Sequence, residues 1–213
     1  MTKLRFTIAI SLDGYVAGPD QSEENPIGVG GMQLHEWLFP LAVFREMHGE
    51  EGGEVNASTR VVEEWFENVG ATIMGRNMFG PERGPWAESP WQGWWGDDPP
   101  FHVPVFVLTH HAREPLEMEG GTTFDFVTDG IESALEQASE AAGGQDVSLA
   151  GGASVARQYL AAGLVDEMEL AVTPVLLGAG ERLLEGVGSG LKLEQLRVVE
   201  APGVTHLKYR MVK

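Results

Sequence analysis

Cysteine is absent from all 213 residues, which removes disulfides, thiolate metal ligands and a cysteine nucleophile together. A small secreted scaffold held by disulfides is thereby excluded. Positive charge is scarce as well: 14 Lys and Arg stand against 32 Asp and Glu, and a formal net charge of −18 repels a phosphate backbone or an anionic membrane surface. Neither nucleic acid nor membrane is an expected partner. No run approaches the roughly 18 consecutive apolar residues of a membrane span. The opening residues 1–13 alternate apolar with polar and end on Asp13, which is not the pattern of a signal peptide. The chain reads as soluble and cytoplasmic. Three signatures are missing too: Gly-x-Gly-x-x-Gly after the first strand, a Walker sequence and a Gly-x-Ser-x-Gly elbow. Nor do the six histidines include a His-x-x-x-His pair with an evident carboxylate partner, so no metal site is expected.

What the sequence does have is a steady alternation of strand and helix signals. With 43% apolar residues it can bury one sizeable core, and we read residues 1–213 as one domain with long insertions at about 18–57 and 84–102. Residues 4–12 form a strand pattern running into the turn signal Asp13-Gly14. Residues 18–57 are rich in Gly, Pro and charge around a short apolar insert (Trp37, Leu38, Phe39, Leu41, Phe44). They read as a long decorated loop, a length usually kept to cover or build a site. Val61, Val62, Trp65, Phe66 and Val69 give a helical face with Gly70 as the stop. Strands are expected at 72–74, 103–109, 124–127, 147–150 and 167–173. Helices are expected after Asp129, read as a cap, and over 153–162, closed by Gly163. Residues 191–200 and 205–212 read as a terminal hairpin around Pro202-Gly203. The pattern predicts an α/β fold with a central mixed, mostly parallel sheet flanked by helices and a C-terminal antiparallel hairpin.

Ligands collect at strand carboxyl ends in such sheets, and three of these ends carry chemistry. At Gly75-Arg76-Asn77-Met78 a glycine lets backbone N–H groups approach an anion, with Arg76 adding charge; a helix-start glycine beside a surface arginine is the plainer reading. At Gly151-Gly152-Ala153-Ser154 an unhindered backbone meets a helix N-terminus, which suits a pyrophosphate or, equally, a tight structural turn. Thr109-His110-His111 with Arg113 offers donors for a ribose 2′-phosphate, or forms a solvated turn. The tract from Pro85 to Phe101 holds four of the six tryptophans. It is either a lid for a flat ligand, a subunit interface or a local mini-core.

Taken in order, Ser11-Leu-Asp13-Gly14-Tyr15-Val-Ala-Gly18, Ile73-Met-Gly75-Arg76-Asn-Met-Phe79, Phe106-Val-Leu-Thr109, Ala150-Gly151-Gly152-Ala153, and Leu164-Val-Asp166-Glu167 followed by Pro174 to Leu183 resemble the dihydrofolate reductase-like family. The nearest branch is that of the C-terminal reductase domain of the riboflavin-biosynthesis deaminase-reductase. The resemblance implies a three-layer fold, NADPH across the strand ends, and hydride transfer to a small carbonyl or imine, as in 5-amino-6-(5-phosphoribosylamino)uracil reductase. It places Ala9 and Ser11 near the nicotinamide, and Gly75, Arg76 and Met78 near the pyrophosphate. Thr109 and His110 fall near the 2′-phosphate end, while Gly151, Gly152, Ala153 and Ser154 complete the groove and Glu181 and Arg182 border the substrate. Asp13, ending the first strand beside the expected nicotinamide, is the candidate acid; holding its own turn is the alternative. The carboxylate that folate reductases set on their first helix has only Glu36 and Glu46 as candidates. Dihydrofolate reduction and non-catalytic nucleotide binding are the competing functions. A homodimer is expected from the apolar face Leu207, Tyr209, Met211 and the tryptophan tract, and the resembling branch commonly pairs through its sheet.

Overall fold

A computed structural model describes residues 2–88 and 90–212. Its strands are β1 (Leu4–Ser11), β2 (Tyr15–Ala17), β3 (Val69–Gly75), β4 (Pro104–Leu108), β5 (Leu116–Glu117), β6 (Thr123–Val127), β7 (Asp146–Gly151), β8 (Glu167–Thr173), β9 (Glu181–Arg182), β10 (Lys192–Ala201) and β11 (Val204–Val212). Its helices are α1 (Ala42–Met47), α2 (Ala57–Phe66), α3 (Arg76–Phe79), α4 (Ile131–Ala141) and α5 (Ala153–Ala161), with a short 3-10 turn at Gly31–His35. Nine strands form one sheet in the order β10-β11-β8-β1-β7-β3-β4-β6-β5; β2 pairs with β9 apart from it. The block from β8 to β6 is parallel, and β11, β10 and β5 join antiparallel.

Strand alternation sorts the core to the two faces of the sheet. Phe6 and Ile10 of β1, Ile73 of β3 and Phe106 of β4 pack with Ala134, Ala138, Ala156 and Tyr159 from α4 and α5. Their neighbours in sequence turn the other way. Ala9 joins Leu34, Trp37, Leu41 and Val62 in a second cluster, and Met74, Val105 and Val107 join Phe79 and Phe124 in a third.

Several local expectations are corrected. Residues 18–57 are not one loop, because Leu34, Trp37 and Leu41 bury against the sheet and carry a 3-10 turn and α1 with them. The α2 stop is Asn68 in the left-handed region (φ 57), not Gly70. Gly70 serves close approach instead, since a Cβ there would sit 2.5 Å from the Ala142 carbonyl oxygen. Asp129 does not cap α4; Gly130 holds that position with φ 93, and Asp129 accepts from the Thr128 hydroxyl at 3.4 Å. The face of Leu207, Tyr209 and Met211 packs on the chain's own core and is not free. Exposed apolar residues on the edge are instead those of β10, Leu193, Leu196 and Val198.

His206 on β11 is wholly buried, its Nε2 2.9 Å from the Ser58 hydroxyl at the start of α2 and its ring edge-on to Trp37 and Trp65. Burial, aided by nearby Arg197, pulls its pKa down to about 4. The unfolded chain then takes up a proton on this ring below about pH 6.5 that the folded chain refuses. Stability contributed by the neutral ring is therefore present above pH 6.5 and lost as pH falls towards 4, by an amount on the order of 3 kcal/mol. Urea unfolding from pH 7 to 4.5 should show this loss in the wild type and a flatter profile in His206→Gln.

Candidate active site

The carboxyl ends of β3, β4, β6 and β7 open into a cavity of about 650 Å³, continued over β1 by β2 and the segment that follows it. Strand termination builds its floor and walls. Ile8 and Leu108 lie on the floor; Gly75 to Met78, Thr109 to His111, Thr128 with Gly130 and Ile131, and Ala150 with Gly152 to Val155 supply four successive edges. Val16, Ala17, Gln21, Pro26, Ile27, His35 and Glu181 close the far end, with Arg83, Trp94 and Trp95 above.

The Gly151-Gly152 peptide is cis. Gly151 has φ 126, whereas Gly152 has an ordinary φ of −74 and nothing within 4 Å of where its Cβ would be. The positive φ belongs to the first glycine, and the open space belongs to the second. That space faces the N-terminal turn of α5, with Ala153 and Ser154 in the cavity lining.

Charge in the cavity runs against the rest of the chain. The described lining contains the guanidiniums of Arg76 and Arg83 against one carboxylate, Glu181, with the imidazoles of His35, His110 and His111 beside them. The three nitrogens of Arg76 are buried without a hydrogen-bond partner among the described residues. Burial pulls the Arg76 pKa below its ordinary value, with Glu82 opposing the shift and Arg113 and Arg83 adding to it. His111 N–H donates to the Thr109 hydroxyl at 3.2 Å, which fixes the turn after β4. Arg113, read from sequence as a phosphate ligand, spends one N–H on the Trp91 carbonyl at 2.5 Å and lies over the Trp86 ring.

The structure thus brings Gly75, Arg76, Met78, Thr109, His110, Gly152, Ala153, Ser154 and Glu181 to one cavity. Others are placed elsewhere. Ala9 turns its side chain to the second core cluster, and Ile8 takes the floor position instead. Ser11 accepts from the Tyr15 N–H at 2.8 Å and donates to Asp13 at 2.6 Å. Asp13 is outside the lining. Its carboxylate also accepts from the backbone N–H groups of Leu177 and Gly178, at 3.1 and 2.7 Å, and the bond from Ser11 and those two hold its pKa below the ordinary value. It ties the β1 turn to the segment after β8 and stays ionised. Arg182 stacks over Tyr15 at 4.6 Å, and Glu181 pairs with Arg157 at 3.4 Å at the cavity mouth.

His35 and Gln21 are the polar groups that sequence reasoning missed. His35 immediately precedes Glu36, one of the two residues considered for a helix carboxylate, yet Glu36 and Glu46 both point to solvent and His35 is the side chain that enters the cavity. Burial lowers its pKa, with the Gly31 carbonyl offsetting part of the effect, so the ring is neutral at pH 7. The tryptophan tract, of which Ser89 lies outside the described residues, is largely a local core. Trp86, Trp91 and Trp95 pack on Phe79, Phe124 and Phe126, while Trp94 and Trp95 also touch the cavity.

The model of the RibD C-terminal domain matches residues 2–207. The chain belongs to the RibD C-terminal domain family. Solved structures share its fold across the whole chain. A putative riboflavin biosynthesis protein from Shewanella sp. PV-4 superposes with a TM-score of 0.62 at 21% identity, each chain covered completely. RibD of Acinetobacter baumannii gives 0.59 at 19% identity, covering all of this chain and 58% of that one. Dihydrofolate reductase from Enterococcus faecalis, complexed with NADP(H), gives 0.53 at 12% identity, covering 99% and 97%. At these identities the likeness is one of fold, and the fold is dihydrofolate reductase-like. No curated protein matches the chain. No helix among the described residues is long and apolar enough to cross a membrane, and no three described His, Asp or Glu side chains gather as a metal site.

Proposed function

We propose that this chain is an NADPH-dependent reductase of the riboflavin-biosynthesis reductase type, acting on a small carbonyl or imine substrate. The observation that carries the reading is the charge of the cavity: two guanidiniums stand against one carboxylate in its lining, in a chain of net charge −18. The buried, unpartnered nitrogens of Arg76 and the open space at Gly152 fit a phosphorylated nucleotide. Bound NADPH would supply a hydride. Gly152, Ala153 and Ser154 leave room for the pyrophosphate, and Arg76, Thr109 and His110 supply charge and donors for the phosphates. Ala9 acts through its backbone and Ser11 by holding the β1 turn beside the nicotinamide. At the far end apolar Val16, Ala17, Pro26 and Ile27 exclude water, while His35, Gln21 and Glu181 orient a polar substrate and Arg182 braces the rim. Because neither Glu36 nor Glu46 lines the cavity, the reading favours a riboflavin-type substrate over dihydrofolate.

Loss of absorbance at 340 nm from NADPH, followed across carbonyl and imine compounds including 7,8-dihydrofolate, tests the activity. Saturable oxidation with a non-folate substrate is expected. Binding of NADPH without turnover of any compound would favour a nucleotide-binding protein instead. His35→Ala should lower kcat/KM about tenfold or more, the value of one buried hydrogen bond to substrate, while the Kd for NADPH stays unchanged. An unaltered kcat/KM would remove His35 from the substrate site.

A homodimer of the 23.1 kDa chain belongs to the same proposal, now resting on the exposed apolar residues of β10. Salt screens like charges over about 8 Å at physiological strength, so the dimer should weaken as salt is lowered. Light scattering across ionic strength decides it; a single-chain mass at high salt would refute the dimer.

A further inference from the structure

Trp86 sits on the tract that lies outside the motifs of the reductase resemblance, yet it touches the cation at the end of β3. The Arg76 guanidinium carbon is 3.1 Å from the Trp86 ring centroid, and that of Arg113 is 4.6 Å from the same ring. The ring is itself fixed. Its Nε1 donates to the His111 carbonyl at 2.9 Å, and Phe79 and Phe126 meet it edge-on at 6.1 and 5.0 Å. Arg83 is close enough to lower the Arg76 pKa, so three guanidiniums share this corner. Glu82 is the only carboxylate paired with Arg76 among the described residues. It stands 3.6 Å from Arg76, beyond hydrogen-bond reach, and also accepts from the Trp91 backbone at 3.4 Å.

Positive charge is thus concentrated and incompletely neutralised in a strongly acidic chain. Stacking satisfies the face of the Arg76 guanidinium and leaves its in-plane donors unpartnered. Without the indole, Arg76 is free to collapse onto Glu82 or swing into water, and either move spends the donors.

We propose that Trp86 is a positioning residue that sets cofactor preference, holding Arg76 ready for the phosphate that distinguishes NADPH from NADH. This rests on the NADPH reading above. It moves Arg76 from the pyrophosphate, where the resemblance sets it, to the 2′-phosphate, and adds that discrimination resides in a tryptophan as well as in the arginine that receives the anion. An anion on Arg76 changes the charge held against the Trp86 ring face, so its arrival alters the surroundings of the indole.

Calorimetric Kd values for NADPH and NADH in wild type, Trp86→Leu and Trp86→Phe test it. Trp86→Leu should lose about tenfold or more in NADPH affinity with NADH unchanged, and Trp86→Phe, which keeps a flat ring, should recover most of that loss. An unchanged NADPH to NADH ratio in Trp86→Leu overturns the proposal, as does equal weakening of both, which marks a merely structural role. Should Trp86→Leu not fold, tryptophan emission decides: 2′,5′-ADP should change wild-type emission where 5′-AMP does not, and the change should vanish in Trp86→Phe. A wild-type signal indifferent to 2′,5′-ADP overturns the proposal. Absence of any nucleotide binding by wild type removes the NADPH reading and this inference with it.

Discussion

Gly152→Val should abolish NADPH binding in a protein that still folds. Gly152 has φ −74, a value any residue adopts, and apart from its chain neighbours nothing lies within 4 Å of a Cβ placed there, so the fold leaves room for a side chain. That same volume is cavity, beside the first turn of α5. A branched side chain would fill the room assigned to the pyrophosphate and bar backbone N–H groups from it, which should weaken binding at least about a hundredfold, or about 2.8 kcal/mol. The neighbouring Gly151→Val should behave differently, because φ 126 is strained for any side chain and the variant should lose stability first. Thermal unfolding and NADPH titration of both variants check the contrast. Wild-type affinity in Gly152→Val would move the cofactor groove elsewhere.

Arg76→Met should destroy selectivity for NADPH and at the same time raise the melting temperature. A guanidinium with three buried, unpartnered nitrogens is a cost to folding, only partly offset by the Trp86 ring and by Glu82 at 3.6 Å. An apolar side chain of similar length removes that cost, and replacing a poorly paired buried charge this way typically stabilises by about 1–4 kcal/mol. Each kcal/mol should appear as about 2–4 °C for a chain of this size. NADPH affinity should fall more than tenfold, to the level of NADH, through loss of a charge-assisted contact. Calorimetry and a thermal melt on one sample read both effects. A lower melting temperature would mean that Arg76 is structural, and the anion site would lose its main support.

Much of this arrangement was legible in the sequence. Strand ends marked by Gly75, Thr109 and Gly151-Gly152 carry local signals, glycine against polar or helix-starting residues, and the structure brings Gly75, Thr109 and Gly152 to one cavity while Gly151 stays outside its lining. Parity along β1 was harder. Phe6, Ile8 and Ile10 against Thr7, Ala9 and Ser11 do not declare which face meets the cavity, because both faces of a central strand are covered. Asp13 stays ambiguous in sequence for a related reason: a carboxylate after a strand looks the same whether it serves a proton or a loop. Only the N–H groups of Leu177 and Gly178, more than 160 residues along, show that it holds a loop. His35 was invisible because residues 18–57 lack periodicity, and its entry into the cavity depends on Leu34 and Trp37 burying against the sheet. Trp86 read as one aromatic among several, since the contact that singles it out comes from Arg76 on another segment.

The account stands most directly on one titration, that of the wild-type protein with NADPH and, separately, with NADH at physiological salt. It predicts saturable one-site binding of NADPH at least about tenfold tighter than NADH, the worth of one charge-assisted phosphate contact. Equal affinities would contradict the role given to the arginine corner, and no saturable binding of either would contradict the reductase reading itself.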